Sequence, residues 1–341
     1  MTGIQPAAAP RPGFARPSRG WLGLPVQRWR RLTQAGFFVL FVCAPLFDIF
    51  RIDLNLGHLI LFGFDWTLGL DAFAAGRASV AEASLNLVLR GFLPLAAVAG
   101  TIIYAGWKWG RLYCGWLCPH FSVVETLNQM LRRAIGKQSL WDRKTQPARN
   151  PDGSETRRDA LWWLAVLPLT AGFAALWAVV LLTYLLPPAE VYGNLLDGAP
   201  TRNQAIFLAV ASLAFFVEFL FARHLFCRYA CAVGLFQSLA WMGNDRAMVV
   251  GFSRERARDC AGCQSACDQV CPMRLAPRNV KRMMFACVQC GQCLDACDHT
   301  QAAHPDGALL NWVHDLRAES EAAFDARAAR TPRAGCGMRE A

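Results

Sequence analysis

The chain has 341 residues, of which 54% are hydrophobic and 18% charged, with 12 Trp and 22 Phe. That is too apolar for an ordinary soluble protein and suits one whose aromatic side chains meet a membrane interface. The net charge of +10 comes with no nucleic-acid recognition motif and lies beside apolar runs, so the expected partner is the lipid bilayer and not nucleic acid.

Residues 1–31 hold six arginines and no acid and read as a basic, disordered cytoplasmic arm. No apolar h-region falls in the first thirty residues, so a cleavable signal peptide is not expected. A transmembrane domain is expected over 32–242, with spans at Leu32–Phe47, Gly91–Trp107, Ala160–Ala189 and Asn203–Ala222. The apolar stretch in the thinly charged loop 51–84 is expected to lie in the interface. Successive extramembrane segments carry six, two, ten and one Lys/Arg. This alternation places both termini in the cytoplasm of a multi-pass bacterial inner-membrane protein.

Two acids attract notice. Glu218 interrupts the last span, and an intramembrane acid is a functional candidate by default; the alternative is an acid near the cytoplasmic face that pairs with Arg223. Glu125 is expected in solvated or interfacial surroundings.

A short repeat follows the second and fourth spans: R-L-Y-C-G-W-L-C-P from Arg111, and H-L-F-C-R-Y-A-C-A from His224. A spacing of four puts two thiols on one face of a helix. Two such pairs bring Cys114, Cys118, Cys227 and Cys231 into play as one site for copper or a further iron–sulfur centre, since soft sulfur suits both. Arg111, Arg223 and Arg228 nearby would favour thiolate. The plain alternative is cysteine as a small apolar packing residue. His120 and His224 are read as interfacial packing, and Cys43 and Cys336 as unpaired.

Residues 243–313 carry the densest signal, eight of the fourteen cysteines. Cys287-x2-Cys290-x2-Cys293-x3-Cys297 has the spacing of a cubane ligand set. Cys260-x2-Cys263-x3-Cys267-x3-Cys271-Pro272 has it with one extra residue before Cys267. The fourth cysteine of each run usually reaches the other cluster. One [4Fe–4S] cluster is therefore assigned to Cys260, Cys263, Cys267 and Cys297, and the second to Cys287, Cys290, Cys293 and Cys271. Zinc is the competing reading of C-x2-C pairs, but the tight four-cysteine runs and Pro272 favour clusters. The linker 273–285 is basic and expected to be helical after Pro277, its cations easing cluster reduction or docking an acidic partner. The tail 314–341 is charged and solvated.

Together these features resemble the CcoG/FixG/RdxA cytochrome oxidase accessory proteins, within a wider group that includes NapH, MauN and the membrane part of NosR. G-R-L-Y-C-G-W-L-C-P-H, F-C-R-Y-A-C-A-V-G-L-F-Q-S and H-P-D-G-A-L-L-N-W carry the resemblance, which covers about residues 28–313. It implies cupric reduction that assists assembly of a cbb3-type oxidase, with that enzyme's assembly factors as partners. Three departures accompany it. No segment matches the family's periplasmic immunoglobulin-like domain, Ala232 stands where proline is expected, and Cys267 is displaced by one. In layout the chain is similar to NapH, which implies a quinol-oxidising conduit to a partner reductase and quinone as a further cofactor.

The resulting expectation is an α-helical membrane protein of about four spans with a C-terminal cytoplasmic α+β double-cluster ferredoxin-like module. It transfers electrons as a metal reductase or a quinol dehydrogenase component; a scaffold with structural clusters is the non-catalytic alternative.

Overall fold

The computed structural model describes residues 25–150 and 153–321. The chain enters at α1 (Val26–Cys43), which follows Pro25. Residues 26–31, expected to belong to the basic arm, are instead helical, and Arg30 is buried. Residues 1–24 lie outside the described residues. The expected span to Phe47 also stops early, because Pro45 cannot extend the helix and α1 ends at Cys43. Its apolar part, Leu32–Cys43, is only about 18 Å long. Even so, α1 follows the depth of a long neighbouring helix, α7 (Trp163–Thr183). Phe38 packs on Phe173 and Trp177, and the Tyr184 hydroxyl donates to Phe41 O at 2.8 Å.

The loop after α1 holds an unforeseen antiparallel meander, β1 (Phe50–Asp53), β2 (His58–Leu61) and β3 (Phe64–Trp66). Phe50 pairs with Leu61, and Leu59 with Trp66. Phe62 and Gly63, both at positive φ, make the two-residue turn that matches strand twist. Arg51 fixes the first strand by donating to Asp48 at 2.5 Å and Asp53 at 2.7 Å.

After α2 (Leu70–Ala74), α3 (Val80–Asn86) starts at Ser79 in a capping box with Glu82. It continues through a π-helical turn, Leu87–Phe92, into α4 (Leu93–Trp109). The resulting helix, Val80–Trp109, is the first of three long and apolar enough to cross a membrane. The second, Ala160–Thr183, comprises a 3-10 turn and α7. It ends before Pro187 and Pro188 start α8 (Pro188–Leu196), so the expected span to Ala189 is split. The third is α9 (Arg202–Val217), capped by Thr201 with Gln204 and prolonged by the π-helical turn Glu218–Ala222. Among the described residues, three helices and not four meet the length and composition of a span; α1 is the shortfall.

Between the spans lie α5 (Leu112–Trp116), α6 (Pro119–Ile135) and α10 (Ala232–Met242). One face of α6 buries Val123, Val124 and Leu127 against Ala174, Trp177 and Phe219. Glu125, on another side of α6, is buried too, against the expected solvated or interfacial place for it. Helix α10 lies close along α4, where a Cβ at Gly106 would sit 3.1 Å from Gln237 Cα.

The cysteine-rich module is closed by β4 (Val249–Phe252) and β5 (Leu310–Val313), antiparallel with Val249 opposite Val313. Inside this clasp are a 3-10 segment (Arg254–Gly262), α11 (Ala266–Val270) and α12 (Gln292–Thr300). The linker after Pro277 forms only a 3-10 turn, Lys281–Met284, instead of the expected helix. Its cations are engaged within the chain: Arg274 meets Asp142 at 3.0 Å, Arg278 meets Asp268 at 2.6 Å, and Lys281 donates to Asn244 O. The tail begins packed, with Ala318 buried and Glu321 2.6 Å from Arg254. Residues 322–341, with Cys336, lie outside the described residues.

The module rests on the bundle through side chains that bond to its backbone. Gln27 and Trp116 donate to Cys290 O and Gln289 O, both at 3.0 Å. Gln138 and Gln146 share Gln269 O at 3.1 and 2.7 Å.

Candidate redox centres

Cys260, Cys263, Cys267 and Cys297 line one small cavity together with Phe252 and Arg278. The extra residue before Cys267 is absorbed by Gln264 and Ser265, at φ of 50° and 59°. Two consecutive left-handed residues reverse the chain within the longer gap, so α11 starts with Cys267 facing inward. The amide of Leu309 donates to Cys297 Sγ at 3.3 Å. Such bonds stabilise charge on sulfur.

Cys271, the C-cap of α11, and Cys290 share a buried core with Met273, Ala286 and Val288. Cys287 packs against this core and also against the neighbouring one, which holds Cys260, Cys267, Cys293 and Cys297. The two sets are thus contiguous. Burial pushes the Cys267 and Cys287 thiols well up, the Cys271 thiol up, and Cys290 up to about 12. Deprotonated sulfur there needs a strong positive centre beside it. Interior all-sulfur donor sets with N–H···S bonds fit iron–sulfur clusters.

The C-x3-C elements do not lie on single helix faces as expected. Cys114 is inside α5, the chain breaks at Leu117, and Cys118 is the N-cap of α6. Likewise Cys227 lies in a π-helical turn, Phe226–Ala230, and Cys231 is the N-cap of α10. The two N-cap cysteines share a conformation, φ −59°, ψ 117° and φ −70°, ψ 109°. Ala232 therefore serves as well as Pro119 at the first helical position. Each element is also entered through a residue at positive φ, Gly110 and Arg223.

Cys114 lies in the same buried core as Cys271 and Cys290, with Cys118, Cys227 and Cys287 packed against it. Its thiol points to Gln237 Oε1 at 3.4 Å. Burial, then the neighbouring Cys118, push Cys114 up to about 12, and Cys231 adds to the effect. Burial pushes Cys118 up too, while the Phe121 and His120 amides at the start of α6 pull it down. All four cysteines of the repeat thus lie within electrostatic reach of one another. Among the described residues, no three His, Cys, Asp or Glu side chains close to single-ion distance.

Glu218 lies beside this group and does not pair with Arg223 within ion-pair distance. Its Oε1 is 3.3 Å from His120 Nε2, without hydrogen-bond alignment. The His120 ring packs between Phe219 and Phe226. Arg228 lies over Tyr229 instead of reaching a thiol. Sequence reasoning missed Gln27 and the buried Arg30–Glu125 pair, at 2.6 Å. A polar stripe at the start of α1 was their only signal, and it reads as a solvated arm.

Apolar helices bearing paired sulfur elements, with a cysteine-rich α+β module beneath, define the class: a ferredoxin-type iron–sulfur electron-transfer protein of the membrane. A family model described as a 4Fe-4S binding domain matches residues 90–138 and 204–246, the two copies of the repeat. Protein RdxA of Cereibacter sphaeroides is 30% identical over 60% of this chain and 45% of its own length. The ferredoxin-type protein NapH of Haemophilus influenzae is 23% identical over 79% and 85%. The methylamine utilization ferredoxin-type protein MauN of Methylorubrum extorquens is 27% identical over 71% and 73%. The chain thus spans under half of RdxA but most of NapH and MauN. No solved structure matches. The chain is similar to the membrane ferredoxin-type proteins RdxA, NapH and MauN.

Proposed function

We propose that the chain is an electron conduit between the membrane surface and a cytoplasmic pair of clusters. Cys260, Cys263, Cys267 and Cys297 would hold one [4Fe–4S] cluster, and Cys271, Cys287, Cys290 and Cys293 the other. Cys114, Cys118, Cys227 and Cys231 would hold a third centre. The observation that carries this reading is the buried core shared by Cys114, Cys271 and Cys290, with Cys118, Cys227 and Cys287 against it. It sets the repeat cysteines directly beside the second cluster set. Four soft sulfur donors from two elements suit an iron–sulfur centre as well as copper.

Two substrates suit the membrane-facing centre. Cupric ion is the first, reduced to Cu(I) by one electron in support of oxidase assembly, as the likeness to RdxA suggests. Quinol is the second, as the likeness to NapH over most of its length suggests. Glu218 beside His120, at the end of α9, is placed to accept a proton that quinol oxidation releases. Turnover of the solubilised protein with a Cu(II) chelate, and separately with a quinol and an artificial acceptor, tests the reading. Activity in one assay selects the substrate. Inactivity in both, with the iron content intact, leaves the scaffold reading and overturns the conduit. The basic segments beside the spans support a cytoplasmic place for the module and both termini.

A further inference from the structure

We propose that Arg111 is a countercharge shared by two redox centres, the one at Cys114, Cys118, Cys227 and Cys231 and the one at Cys271, Cys287, Cys290 and Cys293. The proposal rests on the conduit reading and adds to it a residue that sets the reduction potential of both centres. Arg111 is the N-cap of α5, and only 1% of it is exposed. Its Nε donates to Ser238 Oγ at 2.5 Å and its Nη1 to Cys227 O at 2.8 Å. Ser238 Oγ in turn donates at 2.7 Å to the carbonyl of Phe285, two residues before Cys287. The guanidinium carbon lies 5.9 Å from the centroid of the Phe285 ring. Three segments thus hold the cation in place at the start of α5: the turn Phe226–Ala230, α10 and the loop into Cys287.

What faces the cation is sulfur. Nη2 is buried and has no hydrogen-bond partner. Among the described residues no carboxylate pairs with Arg111; the ionisable groups that act on it are Cys114, Cys227, Cys231 and Cys287, which carry negative charge once they serve as ligands. Arg30, by contrast, lies on the Cys290 side, and Glu125 already cancels its charge. A buried guanidinium with no carboxylate is costly on its own. It is relieved when the centres beside it carry negative charge, and reduction adds negative charge. A fixed cation therefore raises the potential of each centre, and between two it weakens their mutual repulsion when both are reduced. The cluster at Cys260 has its own cation, Arg278, paired with Asp268, and lies outside this arrangement.

The test is an EPR-monitored redox titration of the full-length protein in detergent, with iron content measured in parallel. Arg111→Gln is expected to lower the midpoints of the Cys287 cluster and of the centre at the repeat cysteines, and to leave the Cys260 cluster unmoved as an internal reference. Arg111→Lys is expected to restore most of the shift. Unchanged midpoints in Arg111→Gln at wild-type iron content overturn the proposal, as does an equal shift of all centres. Should Arg111→Gln lose iron, Gly234→Ala is titrated instead. A Cβ there would sit 3.2 Å from the guanidinium carbon, so it displaces the charge while keeping every ligand. Midpoints unmoved in that variant also overturn the proposal. Two signals instead of three in the wild type count against the third centre alone, because the Cys287 midpoint still reports on Arg111.

Discussion

Arg30 lies at the seam between bundle and module with 2% of its side chain exposed, and its charge is tolerated because Glu125 accepts from it at 2.6 and 2.9 Å. Glu125 also accepts from Gln34 and Gln292. Glu125→Gln leaves the guanidinium buried and uncompensated. It is expected to destabilise the protein by about 3–5 kcal/mol, whereas changing both residues to apolar ones of similar size should cost far less. Thermal unfolding in detergent compares the two. His224 acts in the same way through protons. Burial, with help from Arg223, Arg274 and Arg228, holds it down at about 4. The unfolded chain therefore binds a proton near pH 6.5 that the folded chain refuses. Stability from this group is complete above 6.5 and is lost as pH falls toward 4, by up to about 3 kcal/mol. His224→Gln should flatten that part of the pH dependence of unfolding; an unchanged slope counts against it.

At the scale of elements, the repeat is a functional unit only if its halves share a centre. Cys114→Ser and Cys227→Ser are each expected to abolish electron transfer while both module clusters keep their spectra. The double variant should be no worse than either single one. Full activity in both single variants would make the four cysteines packing residues. Gly115 tests how the elements fit, because a Cβ there would run into Val288 O. Gly115→Ala is expected to loosen the contact between α5 and the Cys287 loop and to lower iron retention, read by iron assay after gel filtration. These elements also show where a sequence speaks. The repeat was legible because two spans followed by paired cysteines occur twice, and the cubane runs because ligands of one cluster must be near in sequence. The break between Cys114 and Cys118 was not, since C-x3-C reads equally as one helical turn. Nor was the meander at Phe50–Trp66, whose apolar run resembles an interfacial segment. Glu125 was misread because its partner lies 95 residues away, and no local pattern announces a partner at that distance.

At the scale of the whole molecule, three apolar helices and α1 set the topology. A periplasm-active reporter inserted at Gly57, in the β1–β2 turn, is expected to be active, and one fused after Arg258 silent. The opposite result would invert the three spans, and two silent reporters would mean that one of those three helices fails to cross. Anaerobically purified protein should hold about eight irons in the module, plus those of the repeat centre. Stoichiometric zinc would instead make the module a zinc domain.

The contacts of α1 also set an order of biogenesis. Gln27 holds Cys290 O from 263 residues away, and Glu125 joins Arg30 to Gln292. The ribosome delivers α1 and then Glu125 well before the module, but Cys290 and Gln292 near the end. During synthesis Arg30 can meet Glu125 early, while the Gln27 amide waits, hydrated at the bilayer surface, until the module has been made and has closed between β4 and β5. The first turn of α1 is thus among the last parts to reach its final neighbours, and a chain cut short before Cys290 leaves Gln27 without the carbonyl that holds it.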